Sequence, residues 1–179
     1  MGLRTGQALA DFEHPLQILG ACHQRIGDQC ETLRKLAAHL PLHGCDAEAQ
    51  QAASNVMRYF DSAGRHHRED EEHDLFPRLA GCARGRNAER VASLVRRLKQ
   101  EHHEIEEAWL KLREALETIA HGDSVPLDEA EIGRFCDMYR AHMAREDADL
   151  IPLAELLLDA DDQAALGRAM AARRGIIAR

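Results

Sequence analysis

Apolar residues recur along this chain at alternating steps of four and three, the spacing that draws one stripe down an α-helix packed in a bundle. One stripe runs Phe12, Leu16, Leu19, His23, Ile26, Cys30, Leu33, Ala37, Leu40. Another keeps the same steps through Val91, Val95, Leu98, His102, Ile105, Trp109, Leu112, Leu116, Ile119. Shorter stripes pass through Val56, Phe60, Ala63 and His67 to Glu71, and through Ile132, Phe135, Tyr139 and His142 to Glu146. The pattern predicts four long helices, each turning one histidine inward. Between them LPLHGCD (40–46), GCARGRN (81–87) and AHGDSVPLD (120–128) gather residues that stop helices or favour turns. A shorter fifth helix is expected over about 161–175, closing at Gly175.

The pattern also repeats. His67, Glu71, Leu75 and Pro77 recur as His142, Glu146, Leu150 and Pro152, both in the form HxxxExxxLxP. In each half a lone inward histidine, His23 and then His102, precedes the motif by about forty residues. Two such halves read as two helical hairpins. The expected fold is therefore all-α: an antiparallel up-down four-helix bundle with a short C-terminal fifth helix. It forms one domain over 1–179, with the bundle core in about 12–158.

Composition supports this and removes several functions. At 179 residues and 45% apolar content the chain is long enough for one domain with a real core. Aromatics are 4%, and Ala, Leu, Glu and Arg dominate, which favours helix throughout. A net charge of -8 argues against nucleic acid and against anionic membranes, since both reward clustered Lys and Arg. MGLRTGQALADFEH lacks the apolar run of a signal peptide, and no stretch approaches the ~20 apolar residues of a membrane span, so a cytoplasmic location is expected. Five cysteines without a CxxC pair are expected to be reduced, mostly buried thiols.

The chemistry lies in the interrupted stripes. Residues at i and i+4 share a helix face, so His67 with Glu71, and His142 with Glu146, each aim an imidazole and a carboxylate at one point. One histidine on a core stripe is ordinarily a structural residue. Four histidines on four helices, with two carboxylates, place a charge burden in an apolar interior that a divalent cation would relieve. Within GRHHREDEEHDLFPRL only His67 and Glu71 need face inward; Glu69, Asp70, Glu72, His73 and Asp74 are expected on a solvated face. His66 and His103 fall about 100° off the stripes that carry His67 and His102. Mixed imidazole and carboxylate ligation suits iron or manganese, and six or seven ligands exceed what one tetrahedral zinc would use. Two metals bridged by Glu71 and Glu146 fit best. The ferritin-like signature, ExxH with carboxylates outnumbering histidines, is not the pattern here.

ACHQRI, HREDEEHDLFP, QEHHEI and HMAREDADLIP, in this order over about residues 12–158, resemble the hemerythrin-like family of HHE cation-binding domains. The resemblance implies a four-helix bundle holding two non-haem irons, joined by two carboxylates and an oxo or hydroxo group, with manganese or zinc as substitutes. O2, peroxide or nitric oxide would be the small-molecule ligands. The implied set is His23, His67, Glu71, His102, His142 and Glu146. Oxygen-carrying members have HxxxH on the third helix and HxxxxD on the fourth, whereas here His102 is followed by Glu106 and the last motif is HxxxE. Glu106 is thus either a seventh ligand or a surface glutamate beside Arg113 or Lys99. An anionic oxygen in place of an imidazole favours the oxidised metal, which turns the expectation from reversible O2 carriage toward sensing or detoxification. A non-catalytic iron-binding, storage or iron-sensing module is the alternative. The tail GRAMAARRGIIAR is expected to pack Met170 inward, to expose Arg173 and Arg174, and to supply no ligand.

Overall fold

The computed structural model describes residues 12–176 of the chain. The reading of the amino-terminal MGLRTGQALAD, and the last three residues of the tail, lie outside the described residues. The elements are α1 (Pro15–His43), α2 (Ala47–Tyr59), a π-helical turn (Phe60–Gly64), α3 (Arg65–Glu69), a second π turn (Asp70–Leu75) and α4 (Phe76–Cys82). There follow α5 (Arg86–Ala120), α6 (Glu129–Arg145), a third π turn (Glu146–Leu150), α7 (Ile151–Leu157) and α8 (Ala160–Arg173). The fold is all-α, with no strand among the described residues. Four long helical paths, 15–43, 47–82, 86–120 and 129–157, precede a short fifth helix, the element order that the apolar stripes predict. None of the described helices is long and apolar enough to cross a membrane.

Local chemistry sets the helix ends. α1 continues through Pro41 to His43 and stops only at Gly44, whose φ is +71°. The first break is therefore shorter than LPLHGCD suggests, because a proline in the last turn removes a single helical hydrogen bond whereas a positive φ stops the helix. Asp46 and Asp159 cap α2 and α8 by accepting the backbone N–H of Ala49 and of Asp162.

The chain packs as two compact units. The first comprises Met1–His23, Arg65–Lys99 and Ala144–Arg179. Its core gathers Leu16, Leu19, Phe76, Leu98, Leu150, Leu153 and the inner face of α8, Leu166 and Met170. The second comprises Gln24–Gly64 and Gln100–Met143. There Ile26, Leu33, Val56, Leu116 and Ile119 surround a nest of rings in which Phe60 lies 4.8 Å from Trp109 and 5.3 Å from Phe135, centroid to centroid. The indole N–H of Trp109 donates to Asp61, which also accepts from Arg113 at 2.9 Å. Each fully buried side chain of this kind contributes roughly 1.5–3 kcal/mol, so the two cores can sustain a few buried polar groups. Cys22, Cys30 and Cys136 are buried and Cys45 and Cys82 are half-buried.

The π turns are the feature that periodicity does not foresee. Phe76 N–H bonds to the carbonyl of Glu71, and Ile151 N–H to that of Glu146, each five residues back. Pro77 and Pro152 follow at once and have no N–H with which to restore the α register. At the first turn the extra residue moves the inward position: Ala63, expected on the stripe, is half-buried and Gly64 is buried in its place. A side-chain carbon at 64 would stand 3.3 Å from the Phe60 ring, so glycine suits the closed turn.

Candidate metal centre

Seven polar or charged side chains are buried among the described residues: His23, His67, Asp70, Glu71, His102, His142 and Glu146. Six of them are residues that the stripes and the repeat single out. His66 is half-buried and His103 exposed, so the burial register favours His67 and His102 in the two ambiguous pairs.

Four of the six converge inside the first unit. His23, on α1, points Nε2 at Glu146, 3.0 Å from Oε2. His67, on α3, places Nε2 3.7 Å from Glu71 Oε1 and 3.9 Å from Glu146 Oε2. The His23 and His67 rings meet edge to face at 5.2 Å. One ligand atom from each of His23, His67, Glu71 and Glu146 lies within 4.8 Å of all the others. The two carboxylates stand at or beside the start of a π turn, and each turn ends against its proline. The HxxxExxxLxP repeat is therefore a repeat of backbone geometry as well as of residue type.

This donor set fits a cation. Donors about 2.0–2.2 Å from a shared metal stand about 3.0–4.4 Å from one another, close to the separations here. Burial opposes charging of His67, but the carboxylates of Glu71 and Glu146 outweigh it and hold its imidazole well above the ordinary histidine range.

The remaining two lie in the second unit, where His102 on α5 and His142 on α6 pack ring to ring with centroids 4.6 Å apart. Glu106 is half-buried, one turn along α5 from His102, and differs in this from the six buried residues.

Two further carboxylates act on the histidines. Nδ1 of His23 lies 2.9 Å from Asp147, and Nδ1 of His142 lies 3.0 Å from Glu101. Each carboxylate holds its ring at the Nδ1 edge, which leaves Nε2 as the nitrogen that could be offered to a cation. Sequence reasoning missed both. The only signal was adjacency, since Asp147 follows Glu146 and Glu101 precedes His102. It also misplaced charged side chains. Asp70, expected on the solvated face, is fully buried, and Arg173 and Arg174, expected to be exposed, have side chains only 18% and 20% accessible and turn onto it. Met170 packs inward as expected.

Buried imidazoles facing buried carboxylates across paired π turns define a helical domain built to bind a cation through mixed nitrogen and oxygen ligation. The chain belongs to the hemerythrin family, matching the hemerythrin HHE cation binding domain over residues 14–154. An uncharacterized protein of Haemophilus influenzae is 29% identical over 176 residues, covering 98% of this chain and 99% of that relative.

Proposed function

We propose that this domain holds two non-haem iron ions bridged by Glu71 and Glu146 and meets O2, peroxide or nitric oxide there, in sensing or detoxification. The convergence of His23, His67, Glu71 and Glu146 carries the reading. His23 and His67 would serve one iron and His102 and His142 the other, with Glu106 as a further ligand beside His102. Membership of a cation-binding family supports this assignment.

When bound, iron supplies a redox-active centre that can take up a small oxidant or nitric oxide. The protein's own residues set its surroundings. Glu71 and Glu146 provide the negative charge, and their burial keeps water from competing for it. Asp147 and Glu101 hold the rings of His23 and His142 at Nδ1, which would orient Nε2 toward a metal and raise its basicity. Leu19 and Ile26, both fully buried one turn to either side of His23 on α1, keep its neighbourhood apolar.

The test is metal analysis and an absorption spectrum of anaerobically purified protein, followed by rapid mixing of the reduced form with O2, peroxide and nitric oxide. Two irons per chain, with consumption of many equivalents or a stable nitrosyl spectrum, supports the proposal. Uptake of about one equivalent of oxidant per site, without turnover or nitric oxide binding, marks the iron-binding or storage module instead. Substoichiometric metal overturns both.

A further inference from the structure

We propose that α8 is a latch on the metal site. Arg173 and Arg174 hold Asp70 so that its neighbour Glu71 is presented as a ligand, and cation binding at Glu71 is thereby coupled to the docking of the carboxyl-terminal helix. The inference rests on the reading above that Glu71 binds a cation.

Asp70 is fully buried, and both of its oxygens are held by α8 and the residue that caps it. Arg173 Nη1 donates to Oδ1. Arg174 grips the same carboxylate with two nitrogens, Nη2 at 2.6 Å from Oδ2 and Nη1 at 3.2 Å from Oδ1. The other Arg173 nitrogens extend the grip, Nη2 donating to Asp74 at 2.6 Å and Nε lying 3.5 Å from Glu69. Forked, charge-assisted pairs of this kind fix direction as well as distance. Both arginines are largely withdrawn from solvent, so screening weakens them little.

Asp70 and Glu71 are consecutive, and both lie in the π turn Asp70–Leu75. Successive residues on a helix point about 100° apart, so a backbone rotated to give Asp70 to α8 is rotated to give Glu71 to His67. Releasing Asp70 frees that rotation and leaves an uncompensated buried charge beside the ligand.

The seat of α8 is shaped for this grip. A side-chain carbon at Gly167 would collide with the carbonyl oxygen of Phe12, so only glycine lets the helix lie this close to the Phe12 backbone. Arg174 also passes over the Phe12 ring at 5.7 Å and donates to the Met170 carbonyl at 2.9 Å, which orients its guanidinium before it meets Asp70. Coupling of this sort is reciprocal: if docked α8 favours the cation, the cation must favour docked α8.

The test is anaerobic Co(II) titration of the full-length metal-free chain, followed by absorption spectrum and by amide hydrogen exchange across 160–173. Three variants are compared with the wild type: Arg173→Ala/Arg174→Ala, Asp70→Asn and Gly167→Ala. The last displaces α8 without altering any charge. The expected result is that Co(II) slows exchange in α8 of the wild type at least tenfold. Variants that keep cooperative unfolding bind Co(II) at least tenfold more weakly, with altered ligand-field bands. Should the double arginine variant fail to fold, Asp70→Asn and Gly167→Ala decide. Wild-type affinity within twofold in these variants, with α8 exchange indifferent to metal, overturns the latch alone. If wild-type Co(II) binding is absent, or survives Glu71→Gln unchanged, the metal reading fails and takes the latch with it.

Discussion

Nδ1 of His23 stands 2.9 Å from a carboxylate oxygen of Asp147, the residue next to the glutamate that its other nitrogen faces. One imidazole is thus oriented by one acidic side chain and aimed at another. Asp147→Ala removes the orienting partner and leaves the proposed ligand in place. Metal affinity should fall by about 10–100-fold. The Asp147 side chain is 60% accessible, so the unfolding midpoint of the metal-free protein should hardly move. A metal titration beside a thermal melt checks both, and an unchanged affinity refutes the orienting role.

His67→Ala and His142→Ala should each lower metal affinity at least about 100-fold and abolish the rise in melting temperature on metal addition. His67→Ala should also destabilise the metal-free chain, because Glu71 and Glu146 lose the imidazole whose charged form they favour. His66→Ala and His103→Ala should bind metal as the wild type does. Metal lost on replacing His66 and retained on replacing His67 would reverse the assignment of the helix face.

The proposed role of Glu106 is a matter of potential. As a third carboxylate near the metals it would cancel positive charge on the oxidised pair, so Glu106→Ala should raise the reduction potential and slow reaction of the reduced protein with O2. Glu106→His should raise the potential further and lengthen the life of any O2 adduct. Spectroelectrochemistry reads the first effect and stopped-flow mixing the second. Unchanged potential and O2 kinetics in Glu106→Ala would return this half-buried residue to the helix surface.

The ring nest of the second unit offers a test of stability without metal. Phe135 is fully buried and meets Phe60 and Tyr139 nearly edge to face at 5.3 and 5.2 Å. Phe135→Ala should cost about 3–5 kcal/mol in denaturant unfolding. Leu110, 55% exposed, should tolerate Gln within about 0.5 kcal/mol. Equal effects at the two positions would contradict this core.

The stripes from Leu16 to Leu40 and from Val91 to Ile119 were legible because burial along an uninterrupted helix is periodic, and every position except the half-buried Val95 is buried. Legibility ended where the period changed, at the π turn that brings in Gly64 instead of Ala63. It also ended where a contact joins distant parts of the chain. Asp70 meets Arg173 across 103 residues and His23 meets Asp147 across 124, and no local spacing records either pairing. The buried histidines and glutamates and the faces they occupy could be read from single helices. The side chains that orient them could not, because their partners lie on other helices.

The π turns bear on any attempt to transplant this chemistry. HxxxE written onto a straight helix copies the donors but not the backbone that follows them, where the carbonyl of Glu71 or Glu146 accepts from a residue five positions on and a proline bars the return to α register. The smallest portable piece is therefore the eleven residues from His67 to Pro77, or from His142 to Pro152, taken whole. A designed scaffold receiving it needs room for one residue more than its own helical count provides.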